Sequence, residues 1–159
     1  MKPLARKIKQ DQYQRRFYRQ WVNAGDLLKT RIILEETDLL ILSPSRLDAK
    51  FVRERIYCFR QDIKDYIIKD KRFAFSLKPL TVEIHSPPII RLMAGAAEIC
   101  NVGPMASVAG SIAQLLALDL ERRGHREVII ENGGDIFISR QKKERSVAVF
   151  AGQRKIQWG

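Results

Sequence analysis

Cysteine is scarce in this chain, and the cysteines present do not form a motif. The sequence holds only Cys58 and Cys100, which lie far apart and show neither CxxC nor Cys/His spacing. The sequence therefore predicts neither a disulfide nor a zinc site. We expect both residues to be free thiols that are buried as small apolar groups.

Long apolar runs are also missing. Every apolar stretch is broken by Arg, Glu or Asp well short of the roughly 20 residues that a membrane-spanning helix needs. The basic N-terminus is not followed by an apolar core, so it does not resemble a secretory signal. We expect a cytoplasmic protein with no membrane partner, folded as a single domain over residues 1–159.

Acidic residues are few relative to basic ones. The chain has 29 Lys and Arg against 18 Asp and Glu, which gives a formal charge of +11 and a pI near 10.0. Nine basic residues lie between Lys2 and Arg31, against Asp11 and Asp26. Such a face attracts anions such as nucleotide phosphates, nucleic acid or acidic proteins, and the alternative is an ordinary solvated surface. Four aromatic residues are interleaved with these charges: Tyr13, Phe17, Tyr18 and Trp21.

The apolar pattern predicts an α+β fold in which helices pack on a mixed or antiparallel sheet. Helices are predicted over residues 48–69, 91–100 and 106–123. Strands are predicted over residues 13–22, 30–36, 38–42, 81–84, 128–130, 136–139 and 145–151. The first of these segments, 13–22, fits either a strand or a helix, and a strand is the simpler prediction. The first three strands would form an antiparallel meander that is interrupted near Thr37 and Asp38. The last strand lacks an evident partner, so its edge is expected to form a homodimer.

The stretch from Asn101 to Ser139 has the clearest ligand-binding pattern. Gly103 and Pro104 open a buried helix, because glycine permits a sharp turn and proline suits the first helical position. The amides of the next residues, Met105, Ala106 and Ser107, are expected to be unpaired at the positive end of the helix dipole. A phosphate or carboxylate suits such a position.

A glycine-rich turn, Asn132-Gly133-Gly134-Asp135, follows the helix and a short strand. A plain hairpin and a ligand loop explain this turn equally well. Because the turn and the helix start flank one helix–strand unit, both are expected to face one pocket. His85, beside the bend at Ser86-Pro87-Pro88, is either ligand-facing or an ordinary surface histidine.

These residues together resemble the core of the ApbE-like flavin transferases, which move FMN from FAD onto a threonine of a target protein. That family has a Lys-Gly-x-x-x-Asp helix start, then a helix, a strand and a Gly-Gly-Asp/Asn turn. The corresponding runs here are VGPMAS and NGGDI. The stretches GPMASVAG, VIIENGGDIFIS and TDLLI are more similar still to an uncharacterised branch from bacteria and archaea.

The resemblance implies FAD or FMN as the ligand, with Mg²⁺ as the accompanying metal. The pyrophosphate would lie near the amides of 103–107, and Asn132 and Asp135 would contact the ligand from the turn. The implied cofactor-binding residues are Gly103, Met105, Ala106, Ser107, Asn132, Gly133, Gly134 and Asp135.

Three departures from the family pattern bear on catalysis. Val102 occupies the lysine position and Ser107 the aspartate position, and the chain stops at Gly159, before the half that carries a Thr-Ser-Gly type loop. Metal-dependent phosphoryl chemistry uses such charged groups. We therefore expect flavin or nucleotide binding without efficient FMN transfer, and the pattern identifies neither catalytic residues nor metal ligands.

Two other functions are open. A non-enzymatic protein could bind nucleic acid or an acidic partner through the basic N-terminal face, although the nucleotide ligand is favoured. Alternatively, the ending VFAGQRKIQWG suggests a truncated, inactive product of a longer gene.

Overall fold

The computed structural model describes residues 16–139 and 142–147. The chain divides into a larger unit, residues 24–146, and a smaller one made of residues 1–23 and 147–159. In the smaller unit a 3-10 helix spans Phe17–Trp21, so the strand predicted over 13–22 is wrong for its described part, and 13–15 lie outside the described residues. Tyr18 and Trp21 are three positions apart, which is the repeat of a 3-10 turn.

The larger unit contains an antiparallel sheet whose strands, within the described residues, follow the order β1-β2-β3-β4. The strands are β1 Leu28–Leu34, β2 Thr37–Ser43, β3 Ile129–Asn132 and β4 Asp135–Ile138. All residues of β2 are buried, and β1 and β3 flank this strand on its two sides. The α+β class is thereby confirmed, and the sheet is antiparallel.

Three details of the predicted sheet are wrong. The first hairpin turns at Glu35 and Glu36 rather than near Thr37, since Glu35 adopts the left-handed conformation at φ 52° that a tight hairpin requires. The predicted meander would place the segment 13–22 beside β1, but its described part is a 3-10 helix, and the sheet extends instead through β3, which pairs with β2. Residues 81–84 form no strand, because Leu80 and Val82 pack on the core without a pairing strand beside them.

The strand predicted over 145–151 is likewise absent from the part of that segment that the structure describes. Residues 145–147 are irregular, and 148–151 lie outside the described residues. Within this segment Arg145 forms an ion pair with Asp26 at 3.0 Å instead of entering the sheet.

Four helices are present in the described part of the chain: α1 Ala49–Lys69, α2 Arg72–Phe75, α3 Pro88–Cys100 and α4 Val108–Arg122. The carboxylate of Asp48 caps α1 by accepting hydrogen bonds from the amides of Lys50 and Phe51, at 3.0 and 3.2 Å. Helix α3 starts earlier than predicted because Pro88 suits a first helical position. A 3-10 turn, Pro104–Ser107, precedes α4.

The core lies between one face of the sheet and the helices. Leu39 and Ile41 of β2 are fully buried, as is Ile130 of β3. The helices contribute completely buried side chains from α1, α3 and α4: Val52, Ile56, Ile89, Ile90, Met93 and Leu116. Burial of such side chains contributes about 1.5–3 kcal/mol each and is the main force that holds the helices to the sheet.

Both cysteines are free, as expected, but the prediction that they are buried is wrong. Cys58 lies on the exposed side of α1, and Cys100 ends α3. No single helix among the described residues is long and apolar enough to cross a membrane. The run from Pro88 to Arg122 meets that length and composition only as two helices that meet at a bend of 105°.

Candidate functional site

The glycine turn is a two-residue hairpin loop that joins β3 to β4. Gly133 and Gly134 have φ values of 66° and 107°, and Asn132 pairs with Asp135 across the turn. Positive φ at both central positions matches the right-handed twist of the flanking strands. The amide of Gly134 donates to Oε1 of the buried Glu131 at 2.8 Å, so this acidic residue stabilises the turn from within.

The same turn is attached to the start of α4. The side-chain amide Nδ2 of Asn132, which is 5% exposed, donates to the carbonyl oxygen of Ala109 at 3.0 Å. Gly110 faces Asp135: a Cβ at Gly110 would lie 3.7 Å from Asp135 Oδ2. The structure therefore brings the NGGD turn and the first turn of α4 together. Sequence reasoning did not select Ala109, Gly110 or Glu131 as site residues. Gly110 did have a signal in the sequence, because it is a glycine inside a predicted helix.

The helix start differs from the expected row of unpaired amides. The amide of Ala106 donates to the carbonyl oxygen of Gly103 at 3.1 Å, and that of Val108 donates to the carbonyl of Met105. The expectation of an unpaired amide is therefore wrong at Ala106, because the 3-10 turn closes its hydrogen bonds one turn before α4. The hydroxyl of Ser107 donates to the carbonyls of Pro104 and Met93, at 2.9 and 3.2 Å.

Gly103 has a packing role that the structure makes clear. A Cβ on this buried residue would lie 1.7 Å from the carbonyl oxygen of Ser76 and 3.2 Å from Leu77 Cα. Only glycine allows these two backbone segments to approach so closely. Gly103 therefore fixes the position of the helix start, whereas the accessible predicted residues are Ala106, Gly133, Gly134 and Asp135.

The carboxylate of Asp135 is exposed and makes no hydrogen bond or ion pair with any residue that the structure describes. Over 16–139 and 142–147, no group of three His, Cys, Asp or Glu side chains is placed to hold a metal ion. Mg²⁺ is commonly bound by one or two carboxylates together with phosphate oxygens of a substrate. The residues present therefore suit Mg²⁺ only when a phosphate-bearing ligand supplies the other oxygens.

Two cavities lie away from this surface. The first, of about 280 Å³, lies between the end of α1 and residues 83–87 and includes the exposed His85. The second, of about 330 Å³, lies between residues 79–82 and α3. Neither of the two is lined by a predicted cofactor-binding residue. The surface at the glycine turn is therefore an open one.

The basic N-terminal face is only partly described. Five of its residues lie outside the described range: Lys2, Arg6, Lys7, Lys9 and Arg15. Arg31 donates two hydrogen bonds to the buried carboxylate of Asp38, Nε to Oδ1 at 3.0 Å and Nη2 to Oδ2 at 2.9 Å. This pairing raises the pKa of Arg31 and compensates its charge, which reduces its value for binding phosphates.

Comparison with known proteins places residues 19–158 on a family model described as AbpE bacteria. A UPF0280 protein of Methanocaldococcus jannaschii is 44% identical over 128 residues, which cover 80% of this chain and 51% of that protein. UPF0280 proteins of Methanosphaerula palustris and Methanopyrus kandleri are each 35% identical, covering 82% and 75% of this chain and 54% and 46% of their own lengths. The chain thus spans about half the length of these curated relatives.

Proposed function

Because the chain belongs to the AbpE bacteria family, we propose that it binds a flavin or another phosphate-bearing nucleotide where the glycine turn meets α4. The observation that carries this proposal is the hydrogen bond from Asn132 to the Ala109 carbonyl. It fixes two glycine-containing segments beside each other, so that a ligand can contact both at once. The names of the related UPF0280 proteins state no activity.

The composition of this surface supports a ligand with a flat ring and phosphates. Ala106, Gly110, Gly133 and Gly134 present little side chain, and Asp135 presents a carboxylate without a partner among the described residues. No atom lies within 4 Å of the position that a Cβ at Gly134 would take. A ligand can therefore approach the backbone of the turn closely.

Asp135 is the residue of this surface that would hold Mg²⁺ together with the phosphate oxygens. A magnesium ion bound there would neutralise phosphate charge next to the turn. The ApbE-like flavin transferases have charged residues at two positions of the helix start, and the residues found at those positions here argue against efficient FMN transfer by this chain. Val102 brings no charge, and the hydroxyl of Ser107 is already donated to backbone carbonyls.

Fluorescence titration of the purified chain with FAD and FMN, with and without Mg²⁺, tests the proposal. Ala106→Glu adds a negative charge at an exposed position and is expected to weaken flavin binding at least about tenfold by repelling phosphate. Asp135→Asn is expected to remove the gain in affinity that Mg²⁺ provides. Glu121→Gln, an equal charge change at an exposed position near the other end of α4, serves as the matched control.

Absence of any flavin fluorescence change at protein concentrations of about tens of micromolar, in all four titrations, would overturn the proposal. Equal effects of Asp135→Asn and Glu121→Gln on the Mg²⁺ dependence would instead show that Asp135 does not hold Mg²⁺. Circular dichroism of each variant establishes that the fold is retained.

A further inference from the structure

The segment that leads into α3 has the side-chain pattern of a strand but no partner strand. In residues 79–83, which we call the open segment, the side chains of Leu80 and Val82 pack on the core. Those of Thr81 and Glu83 are exposed. Alternation of this kind is typical of a half-buried strand. Up to the amide of Glu83, however, the main chain of the open segment makes no hydrogen bond with a residue that the structure describes.

A strand-like segment with a free main chain is a template on which another strand can pair. Proteins that recognise peptides by strand addition use such an edge. Main-chain hydrogen bonds supply the affinity, and pockets for alternate side chains supply the specificity. The open segment provides the first of these two parts, and the surface beside it provides the second.

A groove separates the open segment from α3, and the two run in opposite directions. Ser76 and Leu77, which precede the segment, contact Gly103 just beyond the end of α3. After the segment the chain turns back and enters α3 at Pro88. The groove between them is the cavity of about 330 Å³, and its lining on the helix side consists of Arg91, Ala94, Gly95 and Glu98.

Two opposite charges lie along the helix side of this groove. The side chains of Arg91 and Glu98 are exposed, and neither makes a hydrogen bond or ion pair with a described residue. Seven helical positions separate them, which is about 10 Å along the axis. Of the charges on the neighbouring chain, Glu83 is paired with Lys69 at 2.8 Å, and Lys78 precedes the groove lining. One free charge of each sign fits a mixed peptide and not a polyanion.

Three of the most exposed apolar side chains of the described chain lie within two positions of a groove-lining residue. Leu77, before the open segment, is 88% exposed, and Ile84, after it, is 77% exposed. Ile99, next to Glu98, is 88% exposed. Single exposed apolar residues are common, but several around one groove mark an interaction site. They offer apolar contacts to a peptide that lies in the groove.

We propose that the open segment binds an extended segment of a partner protein as an added strand, with an acidic side chain of that segment beside Arg91 and a basic one beside Glu98. On a strand, positions two and four residues apart share a face and lie about 7 and 13 Å apart, which brackets the separation of the two charges. The groove is at the lower end of the range of about 300–1,000 Å³ for ligand pockets, so it holds the side chains of a peptide and not a folded surface.

A second copy of this chain fits the groove less well. Its described strands with an open edge are β1, β4 and the open segment itself. Each of them carries charges of one sign only: Lys29 and Arg31 on β1, Asp135 on β4 and Glu83 on the open segment. None of these strands can pair with Arg91 and Glu98 together.

Fluorescence anisotropy of the full chain with a labelled heptapeptide, Thr-Glu-Val-Ala-Val-Lys-Thr, tests the proposal. A second peptide has Glu and Lys exchanged, because an added strand can pair in either direction. We expect saturable 1:1 binding of at least one of the two, and binding at least fivefold weaker when Gln replaces both charges. N-methylation of the two valines blocks one edge of the peptide strand, and N-methylation of Glu, Ala and Lys blocks the other. One of these two modifications should weaken binding at least tenfold.

Gly95→Leu is the sharpest variant of the protein. No atom lies within 4 Å of a Cβ at Gly95, so the larger side chain fits the fold but fills the groove, and we expect peptide binding at least tenfold weaker. Arg91→Gln and Glu98→Gln should each weaken it several-fold. The matched controls are Arg46→Gln and Glu121→Gln, which make the same charge changes at exposed positions outside the groove lining. Urea unfolding verifies that each variant is folded.

Absence of saturable binding of both charged peptides at protein concentrations up to about 1 mM would overturn the proposal. Unchanged binding of both N-methylated peptides would exclude strand addition, and equal weakening by Arg46→Gln and Arg91→Gln would indicate general charge attraction. Light scattering tests the competing occupant. A dimer that Gly95→Leu dissociates and Ile138→Lys leaves intact would show that a second copy fills the groove, which also contradicts the proposal.

Discussion

Asn132 Nδ2 and the carbonyl oxygen of Ala109 lie 3.0 Å apart, and this hydrogen bond joins the turn between β3 and β4 to the first turn of α4. The asparagine is buried, so its amide is shielded from water and cannot replace this partner easily. The residue that sequence reasoning assigned to ligand contact thus has a structural role that also shapes the proposed flavin surface.

Replacement of Asn132 by alanine is expected to destabilise the protein by about 1–2 kcal/mol, because a buried hydrogen bond is lost. Asn132→Asp should destabilise it at least as much, since a carboxylate cannot donate to the Ala109 carbonyl. Urea unfolding measures both variants. If the aspartate variant kept wild-type stability, the donor role of Asn132 would be disproved.

Two glycine-to-alanine changes are expected to have opposite signs. At Gly103 the new Cβ would lie 1.7 Å from the Ser76 carbonyl oxygen, so the backbone must move, at a cost of about 1–3 kcal/mol. At Gly95 in α3 no atom lies within 4 Å of the new Cβ, and alanine should stabilise the helix by about 0.5–1 kcal/mol. Thermal and urea unfolding compare the pair, and a stable Gly103→Ala variant would contradict the close approach.

The ionic network of Arg60 should stabilise the β1–β2 hairpin on α1. Arg60 donates to Glu35, to Glu36 and to Thr37 Oγ1, the last at 2.9 Å, and its side chain is 13% exposed. Arg60→Ala is expected to cost about 1–3 kcal/mol in unfolding free energy. Arg60→Lys should recover part of the loss, since lysine lacks the guanidinium fork.

The control for that network is Lys50→Ala, which removes an exposed ion pair to Glu54 at 3.9 Å. Such pairs contribute about 0–1 kcal/mol. Hydrogen exchange of the β1 and β2 amides reports where stability is lost. Faster exchange in the hairpin of Arg60→Ala, with no change in Lys50→Ala, is the expected result, and equal exchange in both would refute it.

Asp62 should make stability depend on pH in a direction opposite to that of a carboxylate whose pKa the fold lowers, such as Glu83. Burial is the chief cause that raises its pKa above the ordinary value of 3.8, with repulsion from Asp65 adding to it and Arg55 opposing it. A raised pKa means that the folded state holds the proton more tightly. The ionised form therefore disfavours folding above that pKa, and this penalty disappears as the pH falls toward 3.8.

Asp62→Asn is accordingly expected to raise the unfolding midpoint at pH 7 and to leave it unchanged below about pH 4. Glu83→Gln is the contrasting variant, because Lys69 lowers the pKa of Glu83 by hydrogen bonding. Its effect should be a small loss at pH 7 that fades in acid. Midpoints measured from pH 3 to pH 8 compare the two variants, and a stabilising effect of Asp62→Asn that persisted in acid would show that burial of charge is not its cause.

Homodimerisation stays a prediction, now centred on β4. This strand is at the edge of the described sheet, with Ile136 and Ile138 exposed to 42% and 40%. An exposed apolar edge favours pairing with a second chain. Light scattering should detect a dimer that Ile138→Lys dissociates, and Ile33→Lys on β1, the other edge of the described sheet, tests whether that edge pairs instead. A monomer at all protein concentrations would contradict the prediction.

The elements that sequence reasoning located correctly have local signals. Helix α1 was predictable because its apolar residues recur on one face and Asp48 supplies the cap, and the β3–β4 hairpin was predictable from Gly133 and Gly134. The errors occur where tertiary contacts decide. The segment 81–84 has residues that favour a strand but no strand beside it to pair with. Gly103 is required by its close approach to Ser76, which lies in a different segment of the chain.

The candidate site, like the fold, was predictable where local sequence determines it and not where tertiary contacts do. The turn residues are distinctive in sequence, but the closed hydrogen bond of Ala106 depends on the 3-10 turn, which has no distinctive residue pattern. The cavity at the end of α1 escaped notice because its residues are scattered over 62–87. The periodicity of α1 indicates only that Asp62 and Asp65 lie away from the apolar face.

The strand order has a consequence for how the chain folds. β1 and β2 are joined by a short turn, but the other partner of β2 is β3, and residues 44–128 separate them. On the ribosome, the first hairpin and α1 can form as they emerge, while one side of the central strand stays unpaired until 129–132 has been made. Pairing between strands that are far apart in sequence slows folding and leaves an aggregation-prone intermediate. Nascent chains that stall before β3 are therefore the species most in need of a chaperone.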